Sequence, residues 1–490
     1  MNYRKQTIKI NLPGGIVAAG DLHALMEAAG QCGIKHVQLG NRQQLYCQGN
    51  EQLMRALDQL GVFYECNSDH FPNILTSYVA EAIFQNNNWL SEGLYKDILG
   101  LFDYQPSLKV SLVDAHQTFI PFFTGNINFI SSPVNNYWYL YVRFVKTTII
   151  YPWKGLIYSD DIPRISKVIE QILLEDKELR DGDELFNRVH ARENLIIQPV
   201  TELLKVPDFE LPYYEGFNRY GEKSWLGIYR RDECFPVLFL KDIAALCLRT
   251  KLGQVYTTPW KSLVIKGILP EHRAAWDYLL NKHRINVHHA ANELNWQIED
   301  LDEEGLSLKR YIIRQFDKED LRTQGLCFAI KARPHSGLFG AVVIRKQRNT
   351  SRSQRRSLDR YDILYTRDFN PNSREYILFR KDVQRENLGT YLVALCKYFY
   401  DLRIEAGDIL HQVYREEEAI EKKEPALAGG RKLFRCRHCL TIYDEQYGDP
   451  GQGIAPGTQF SDLSQNYQCA VCEASAADFK LISTFPVLIE

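Results

Sequence analysis

The chain has 490 residues, a formal net charge of -2, and a composition that is 45% hydrophobic, 24% charged and 12% aromatic. This composition excludes a disordered or fibrous chain, and the nearly balanced charge excludes an overall attraction to nucleic acid or to a membrane surface. The length predicts about three domains, on a prior of ~150 residues each.

The first residues, MNYRKQTIKINLPGG, carry basic side chains with no apolar segment behind them. This pattern predicts no secretory signal and a cytoplasmic location. One uncharged run, 115–142, has the length of a membrane span, but it contains Pro133 and several asparagines. Because a lipid-facing helix would have to desolvate these amides, we expect no membrane span here.

Two distant stretches of the chain repeat the same order of elements. The first, IKHVQLGNRQQLYCQGNEQLMRALDQLGV, predicts a strand, a turn at Gly40-Asn41, a second strand and a helix with an apolar face of Leu53, Leu57 and Leu60. The second, GQVYTTPWKSLVIKGILPEHRAAWDYLLNKHRI, predicts the same order, with a helix opening just after Pro270.

The two stretches align without a gap when Val37 is placed on Val255. Gln43 then falls on Lys261, and Leu45 falls on Leu263. Such internal similarity predicts a fold with pseudo-two-fold symmetry.

These stretches resemble the paired ferredoxin-like half domains of sulfite and nitrite reductases. The resemblance spans about 8–401 and rests on Leu12-Pro13-Gly14-Gly15, Leu39-Gly40-Asn41-Arg42-Gln43 and Thr257-Thr258-Pro259-Trp260-Lys261-Ser262-Leu263. In that family a cleft holds a sirohaem coupled through a cysteine to a four-iron, four-sulfur cluster, and sulfite or nitrite is reduced. Arg42 and Lys261 look similar to the basic residues that hold the anionic porphyrin and the substrate, which implies that they bind a cofactor.

The cysteines that such a cluster requires are missing from the chain. The family uses C-x5-C followed by C-x3-C, and neither spacing occurs here. The expected positions read PNILTSYVAEAIF from Pro72 and LVDAHQTFIPFF from Leu112, and the lysine-rich segment before the second is reduced to Lys109. We therefore expect the family fold without the four-iron, four-sulfur cluster or sirohaem. His116 is a conceivable haem ligand, but a lone histidine is more often part of the hydrogen-bonded structure.

Two close cysteine pairs lie near the end of the chain, after a charged helical pattern that is broken by Pro425 and Gly429-Gly430. The broken pattern predicts a flexible tether. Cys436 and Cys439 form one C-x2-C, and Cys469 and Cys472 form another. Two such short hairpins can bring four thiolates onto one tetrahedral ion. Four sulfurs alone suit either zinc or a single iron.

The residues between and around the two pairs resemble rubredoxin. The matching positions are Ile442-Tyr443-Asp444, Gly448-Asp449-Pro450, Gly453-Ile454-Ala455-Pro456-Gly457-Thr458, Phe460 and Asp462-Leu463. The resemblance implies one iron ion, ligated by Cys436, Cys439, Cys469 and Cys472, that carries one electron. Leu440 and Glu473 stand where rubredoxins usually have glycine. Apolar cover by Tyr443, Phe460 and Phe479 is expected to control solvent access. A structural zinc site remains the alternative.

The predicted fold class is α+β: a pseudo-two-fold nitrite/sulfite reductase-like body with two ferredoxin-like half domains, followed by a small C-terminal rubredoxin-like metal domain. The predicted divisions are a first ferredoxin-like half domain over 1–66, a first reductase-like α+β domain over 67–204, a second half domain over 205–290, a second reductase-like domain over 291–415, a linker over 416–432 and the rubredoxin-like domain over 433–485.

The predicted function is electron transfer by the four-cysteine iron centre to a reductase, with nitrate or nitrite assimilation as the implied pathway. The expected partner is a redox protein such as a nitrite or nitrate reductase component, with no nucleic acid and no membrane. One alternative is a nitrite/sulfite reductase-like enzyme whose cleft binds sirohaem or another anionic cofactor. Another is a zinc-stabilised scaffold. An electron carrier or accessory redox protein is favoured over a sirohaem reductase.

Overall fold

The structure is a computed structural model that describes residues 6–84, 89–147, 149–288, 290–333, 336–347, 359–373, 375–421, 431–464 and 466–485. The chain divides into two compact units, 1–399 and 400–490. Within the described residues, no helix combines the length and the apolar character that a membrane crossing requires.

The first unit contains strands and helices throughout its length. Its strands are β1 (Gln6–Ile10), β2 (Ile16–Ala18), β3 (His36–Leu39), β4 (Leu45–Gly49), β5 (Tyr64–Cys66), β6 (Leu75–Thr76), β7 (Val110–Val113), β8 (Ile127–Ser131), β9 (Tyr137–Arg143), β10 (Ile150–Pro152), β11 (Gly155–Tyr158), β12 (Ile197–Pro199), β13 (Gly216–Tyr220), β14 (Lys223–Ile228), β15 (Cys234–Pro236), β16 (Gln254–Thr257), β17 (Leu263–Ile268), β18 (Trp296–Ile298), β19 (Phe328–Lys331), β20 (Val342–Lys346), β21 (Arg360–Thr366) and β22 (Tyr376–Gln384).

The helices of the first unit are α1 (Ala19–Gln31), α2 (Glu51–Gln59), α3 (Glu92–Gly100), α4 (Ile162–Glu175), α5 (Gly182–Arg192), α6 (Val237–Arg249), α7 (Arg273–Lys282) and α8 (Glu303–Lys318). A long helix, α9 (Leu388–Glu421), begins in the first unit and ends in the second. The predicted linker 416–432 therefore begins as helix, and its residues 422–430 lie outside the described residues.

Two antiparallel sheets form the ferredoxin-like part, and each contains one strand from the other half of the chain. Their strand orders are β15-β3-β4-β1-β5 and β13-β14-β17-β16-β2. Phe235 of β15 pairs with Val37, and Val17 of β2 pairs with Val255. Because of this exchange, the predicted half domains share one hydrophobic core, to which the packed helices α1 and α6 also contribute.

The turns of the two hairpins have the same backbone geometry. Gln43 and Lys261 are both left-handed, with φ of 64° and 55°. The N–H of Gln43 donates to the Gly40 carbonyl at 3.0 Å, and the N–H of Lys261 donates to the Thr258 carbonyl at 3.1 Å. The two hairpins therefore superpose in the register that the sequence alignment predicts.

The helices after these hairpins begin where local signals place them. The Asn50 side chain accepts a hydrogen bond from the N–H of Leu53 and caps α2, whose buried face includes Leu53 and Leu57. Leu60, expected on the same face, is 44% exposed because α2 ends at Gln59. In the second repeat a short 3-10 turn begins at Pro270 and leads into α7.

Two mixed sheets complete the first unit, and they repeat one topology. In the order β12-β11-β9-β8-β7-β6, strands β6, β7 and β8 are parallel and β9 is antiparallel to β8. In the order β18-β19-β20-β21-β22, strands β18, β19 and β20 are parallel and β21 is antiparallel to β20. The pseudo-two-fold relation therefore extends beyond the two hairpins.

The second unit contains a small antiparallel sheet after α9. Its strands are β23 (Arg431–Cys436), β24 (Ile442–Asp444) and β25 (Phe479–Phe485), in the order β24-β23-β25. Cys436, the first cysteine of the first pair, is the last residue of β23, and the second pair lies in the loop before β25.

Candidate metal centre

Four cysteine sulfurs of the second unit converge on one point. The Sγ atoms of Cys436, Cys439, Cys469 and Cys472 all lie within 4.8 Å of one another. The Cys436 and Cys472 sulfurs are 3.6 Å apart, and the Cys439 and Cys469 sulfurs are 3.4 Å apart. A tetrahedral ion with metal–sulfur bonds of ~2.3 Å needs sulfurs separated by about 3.8 Å. The four side chains therefore fit one tetrahedral metal ion with thiolate ligands.

Each cysteine pair is held by the same backbone hydrogen bonds. The N–H of Cys436 donates to the Thr441 carbonyl at 2.8 Å, and the N–H of Cys469 donates to the Ala474 carbonyl at 2.7 Å. The N–H groups of Leu440 and Glu473 close each turn on the carbonyls of Cys436 and Cys469, at 3.1 and 2.9 Å. The two knuckles are therefore equivalent, and each presents two sulfurs on one side.

Leu440 and Glu473 occupy the positions where glycine is usual, and both have a left-handed backbone. Their φ values are 64° and 58°. This conformation costs a residue with a β-carbon roughly 1–2 kcal/mol. The knuckles thus keep the required turn despite the substitutions, at a cost in conformational energy.

Aromatic side chains cover the inner side of the cysteine cluster. Cys436 and Cys469 are buried in one apolar cluster with Tyr443, Tyr467 and Phe479, against which Phe460 packs. The second cysteine of each pair is more accessible, since Cys439 is partly buried and Cys472 is exposed. The expected cover by Tyr443, Phe460 and Phe479 is present, and it shields one side of the site.

Thr441 adjusts the acidity of one thiol. Its hydroxyl oxygen lies 3.0 Å from the Cys439 sulfur. Hydrogen bonds from the hydroxyl and the N–H of Thr441 lower the pKa of the Cys439 thiol. A lower pKa favours the thiolate, which is the form that binds metal.

Arg42, predicted from the resemblance to bind a cofactor, is buried in the first unit and contacts carbonyl groups. Its guanidinium donates to the carbonyls of Asn73 at 3.0 Å, Thr124 at 3.3 Å and Val110 at 2.6 Å. Burial, together with the charge of Arg143, lowers the pKa of Arg42 to about 9. These contacts join the first hairpin to the first mixed sheet.

Lys261, the other predicted ligand, belongs to a buried charge network. Its Nζ lies 2.8 Å from a carboxylate oxygen of Glu233 and 3.5 Å from one of Asp300. Burial alone would lower the pKa of Lys261, but the charges of Glu233 and Asp300 outweigh this effect and raise it. Arg42 and Lys261 line two separate cavities, so the structure does not bring them to one common surface.

The cavity beside Arg42 has a volume of about 500 Å3. No cysteine or histidine occurs among the described residues that line it. His116 lies elsewhere: its ring is 54% exposed, and Nδ1 is 3.1 Å from a carboxylate oxygen of buried Asp114. Within the described part of the chain, the four C-terminal cysteines are the one His, Cys, Asp or Glu group placed to hold a metal ion.

Three basic residues near this cavity were not identified as candidates from the sequence. Lys109 lines the cavity, and the charge of Arg143 contributes to lowering the pKa of Lys109. The charge of Arg143 also contributes to lowering the pKa of Lys331, which is the last residue of β19. A lysine at the carboxyl end of a parallel strand was the available signal for Lys331, because ligand sites gather at such strand ends.

Comparison with known proteins identifies relatives of the C-terminal segment. Residues 433–479 match the family model described as Rubredoxin. The chain is 43% identical over 51 residues to rubredoxin of Acinetobacter baylyi, which is 10% of this chain and 94% of that protein. It is 41% identical over 51 residues to Rubredoxin-2 of Rhodococcus erythropolis, which is 10% of this chain and 81% of that protein.

A larger protein also matches a short part of the chain. The chain is 42% identical over 62 residues to the high molecular weight rubredoxin of Moorella thermoacetica, which is 13% of this chain but only 26% of that protein. The shared part is thus a minor part of both chains. The match says nothing about the body that precedes the cysteine pairs.

The body has the fold of a solved structure. The Mycobacterium tuberculosis NirA protein matches with a TM-score of 0.59, covering 79% of this chain and 79% of that chain at 14% identity. At this identity the likeness concerns the fold alone. Together with the C-terminal match, it confirms the predicted fold class, an α+β body of this type joined to a rubredoxin-like domain.

Proposed function

Through residues 433–479 the chain belongs to the rubredoxin family, and from this premise we propose that the protein is an electron-transfer protein with one iron ion held by Cys436, Cys439, Cys469 and Cys472. The observation that carries the proposal is the convergence of the four sulfurs within 4.8 Å. Bound iron supplies a one-electron change of valence, which zinc does not.

The surrounding residues suit such a centre. The backbone hydrogen bonds of the two knuckles hold the sulfurs in place, so that little reorganisation accompanies a change of charge. The aromatic cluster excludes water from Cys436 and Cys469. Cys472 is exposed, as are the apolar side chains of Leu440 and Val471. These exposed groups favour short-range contact with a redox partner.

We further propose that the partner is a reductase component, that the pathway is nitrate or nitrite assimilation and that the protein acts in the cytoplasm. The pathway and the partner rest on the resemblance of the body's sequence to sulfite and nitrite reductases. The proposed location rests on the scattered cysteines, because cysteines in a reducing compartment are expected to remain unpaired thiols. The described cysteines outside the metal centre are free thiols, most of them buried.

The body, in this proposal, holds neither sirohaem nor a four-iron, four-sulfur cluster. Such a cluster needs four thiolates, and the described wall of the 500 Å3 cavity contains no cysteine. Arg42 and Lys261 already engage carbonyls and carboxylates of the protein. The lack of cysteine on the described wall and the occupied side chains of Arg42 and Lys261 support this part of the proposal.

A second candidate is a reductase-like enzyme that binds an anionic cofactor in the cleft. The positive charges of Lys109 and Arg333 on the cavity wall favour it. This candidate predicts a chromophore in the body besides the iron centre.

Metal analysis and a visible spectrum of the purified protein, before and after dithionite, test these functions. One iron per chain, with a red colour that bleaches on reduction and no haem bands, is the expected result. Zinc without colour would overturn the electron-transfer proposal and leave a structural module. Additional haem absorption after expression with excess sirohaem would support the enzyme instead.

A further inference from the structure

The 500 Å3 cavity of the first unit has two chemically different walls. One wall is formed by Asn41 of the first hairpin and by Gln297 and Glu299 at the end of β18. The other carries Lys109 and Arg333. A cavity of this volume lies within the usual range for small-molecule sites, ~300–1,000 Å3.

The first wall presents hydrogen-bond acceptors that have no donor. Asn41 Oδ1, Gln297 Oε1 and Glu299 Oε1 are shielded from water, and none has a hydrogen-bond partner in the described part of the chain. The other ends of the two amides are fixed: Asn41 Nδ2 donates to the Ile298 carbonyl at 2.5 Å, and Gln297 Nε2 donates to the Pro259 carbonyl at 2.7 Å. Since buried acceptors are normally paired, this wall is complementary to a ligand that carries N–H groups.

The second wall carries cations that form no close ion pair within the described residues, although the carboxylates of Asp69 and Glu299 on the cavity wall act on Lys109 at longer range. Among the described residues, Lys109, Arg143, Lys331 and Arg333 form no ion pair, whereas nearby Arg345 pairs with Asp362 at 2.9 Å. Lys109 and Arg143 lie at the same end of the first mixed sheet, because both their backbones bond to Asn126. Burial and neighbouring positive charge lower the pKa of Lys109 and of Lys331, the latter to about 8. A bound anion beside these lysines would stabilise their charged forms, and so would offset both the cost of burial and the repulsion from neighbouring cations.

We propose that this cavity binds a phosphorylated heterocycle of about the size of a nucleoside monophosphate, with its N–H donors on the Asn41, Gln297 and Glu299 wall and its phosphate on the Lys109 and Arg333 wall. Several unpaired positive charges suit a phosphate dianion better than a single carboxylate. A ligand that is anionic all round does not suit the cavity, because the Glu299 carboxylate would repel it. The site is independent of the iron centre.

Isothermal titration of the full-length, iron-loaded protein tests the proposal. The ligands are the four ribonucleoside monophosphates, FMN and nicotinamide mononucleotide, compared with the matching nucleosides and with inorganic phosphate. We expect at least one phosphorylated heterocycle to bind about tenfold or more tightly than its nucleoside and than phosphate, because both walls then contribute. Binding of phosphate alone with equal affinity, or no binding by any member of the panel at millimolar concentration, would overturn the proposal.

Variants of the two walls make the test specific. Lys109→Met and Glu299→Met, which remove a positive charge and a hydrogen-bond acceptor, should each weaken binding of the selected ligand by about tenfold or more. Lys346→Met, at a lysine paired with Glu304 and Asp359, should not. Tryptophan fluorescence verifies that each variant folds, since all seven tryptophans lie in the first unit. Unchanged affinity in both folded wall variants would contradict the proposed site. The visible spectrum reports separately on the iron centre, so a failure of one proposal is distinguishable from a failure of the other.

Discussion

Gln43 and Thr257 bond to each other across the two repeats of the body. The Gln43 side-chain amide donates to the Thr257 carbonyl at 3.0 Å, and the Thr257 hydroxyl donates to the Gln43 carbonyl at 3.1 Å. Gly15 of the LPGG motif packs against this pair: its φ is 74°, and a β-carbon there would lie 2.7 Å from the Thr257 carbonyl oxygen. The motif thus permits close contact between the two halves.

Replacement of Gln43 should destabilise the body. In Gln43→Leu, the buried carbonyls of Thr76 and Thr257 and the N–H of Thr76 lose their partner. We expect the free energy of unfolding to fall by about 2–3 kcal/mol, measured by urea unfolding with tryptophan fluorescence. Gln48→Ala, on the exposed face of β4, is the control and should change it little. Equal stability of Gln43→Leu and the wild type would show that this contact contributes nothing.

Glycine at position 440 should stabilise the metal domain. Leu440 is left-handed, with φ 64°, and 62% exposed, so Leu440→Gly relieves backbone strain and loses little packing. We expect a gain of about 1 kcal/mol, measured as a higher urea midpoint for loss of the iron absorbance. Leu440→Ala keeps the β-carbon and should give no gain. If alanine stabilised as much as glycine, the cause would be the exposed leucine side chain rather than the backbone.

Removal of one thiol should abolish the iron centre. In Cys439→Ser the hydroxyl stays protonated and is a poor ligand for iron, so the iron content should fall below one per chain and the red colour should be lost. Iron analysis and the visible spectrum measure the effect. Cys234→Ala, at a half-buried thiol of the body, should keep one iron and an unchanged spectrum. An unchanged spectrum in Cys439→Ser would rule out this residue as a ligand.

Lys309 should make the stability of the body depend on pH above 8. Its side chain is 3% exposed beside Tyr229 and Glu233, and burial lowers its pKa to about 8. The ordinary lysine pKa is about 10.4. Between about pH 8 and this value Lys309 is protonated in the unfolded chain but mostly neutral in the folded one, so raising the pH favours the folded state. Below pH 8 both states are protonated, and the penalty for burying the charge is constant.

The matching experiment compares the wild type with Lys309→Met between pH 7.5 and 10 by urea unfolding. The stability difference, wild type minus variant, should rise with pH by at most about 3 kcal/mol, on the order of 1 kcal/mol per pH unit above 8. Taking this difference cancels the pH dependence contributed by other titrating groups, because both proteins contain them. Lys154→Met, at a surface lysine, should show a constant difference. A constant difference for Lys309→Met as well would mean that its pKa is the same in both states.

Local sequence signals predicted the hairpins, the helix after each of them and the four metal ligands. Each of these features depends on residues close together in the chain, such as Asn50 and Leu53, or Cys436 and Cys439. The left-handed backbone at Leu440 and Glu473 could not be predicted from residue type, because glycine is absent at both positions. The hydrogen bonds of the knuckles impose them instead.

The sequence by itself determined that the chain carries two related hairpins and a four-thiolate metal site, because periodicity and cysteine spacing act over short distances. Tertiary structure alone decided the exchange of β2 and β15 between the sheets. It also decided that Arg42 bonds to carbonyls 31 to 82 residues away and that Lys261 pairs with Glu233, while Lys109 stays unpaired at a cavity. Whether a cation is available to a ligand depends on which distant groups fold beside it, and this is a property of packing.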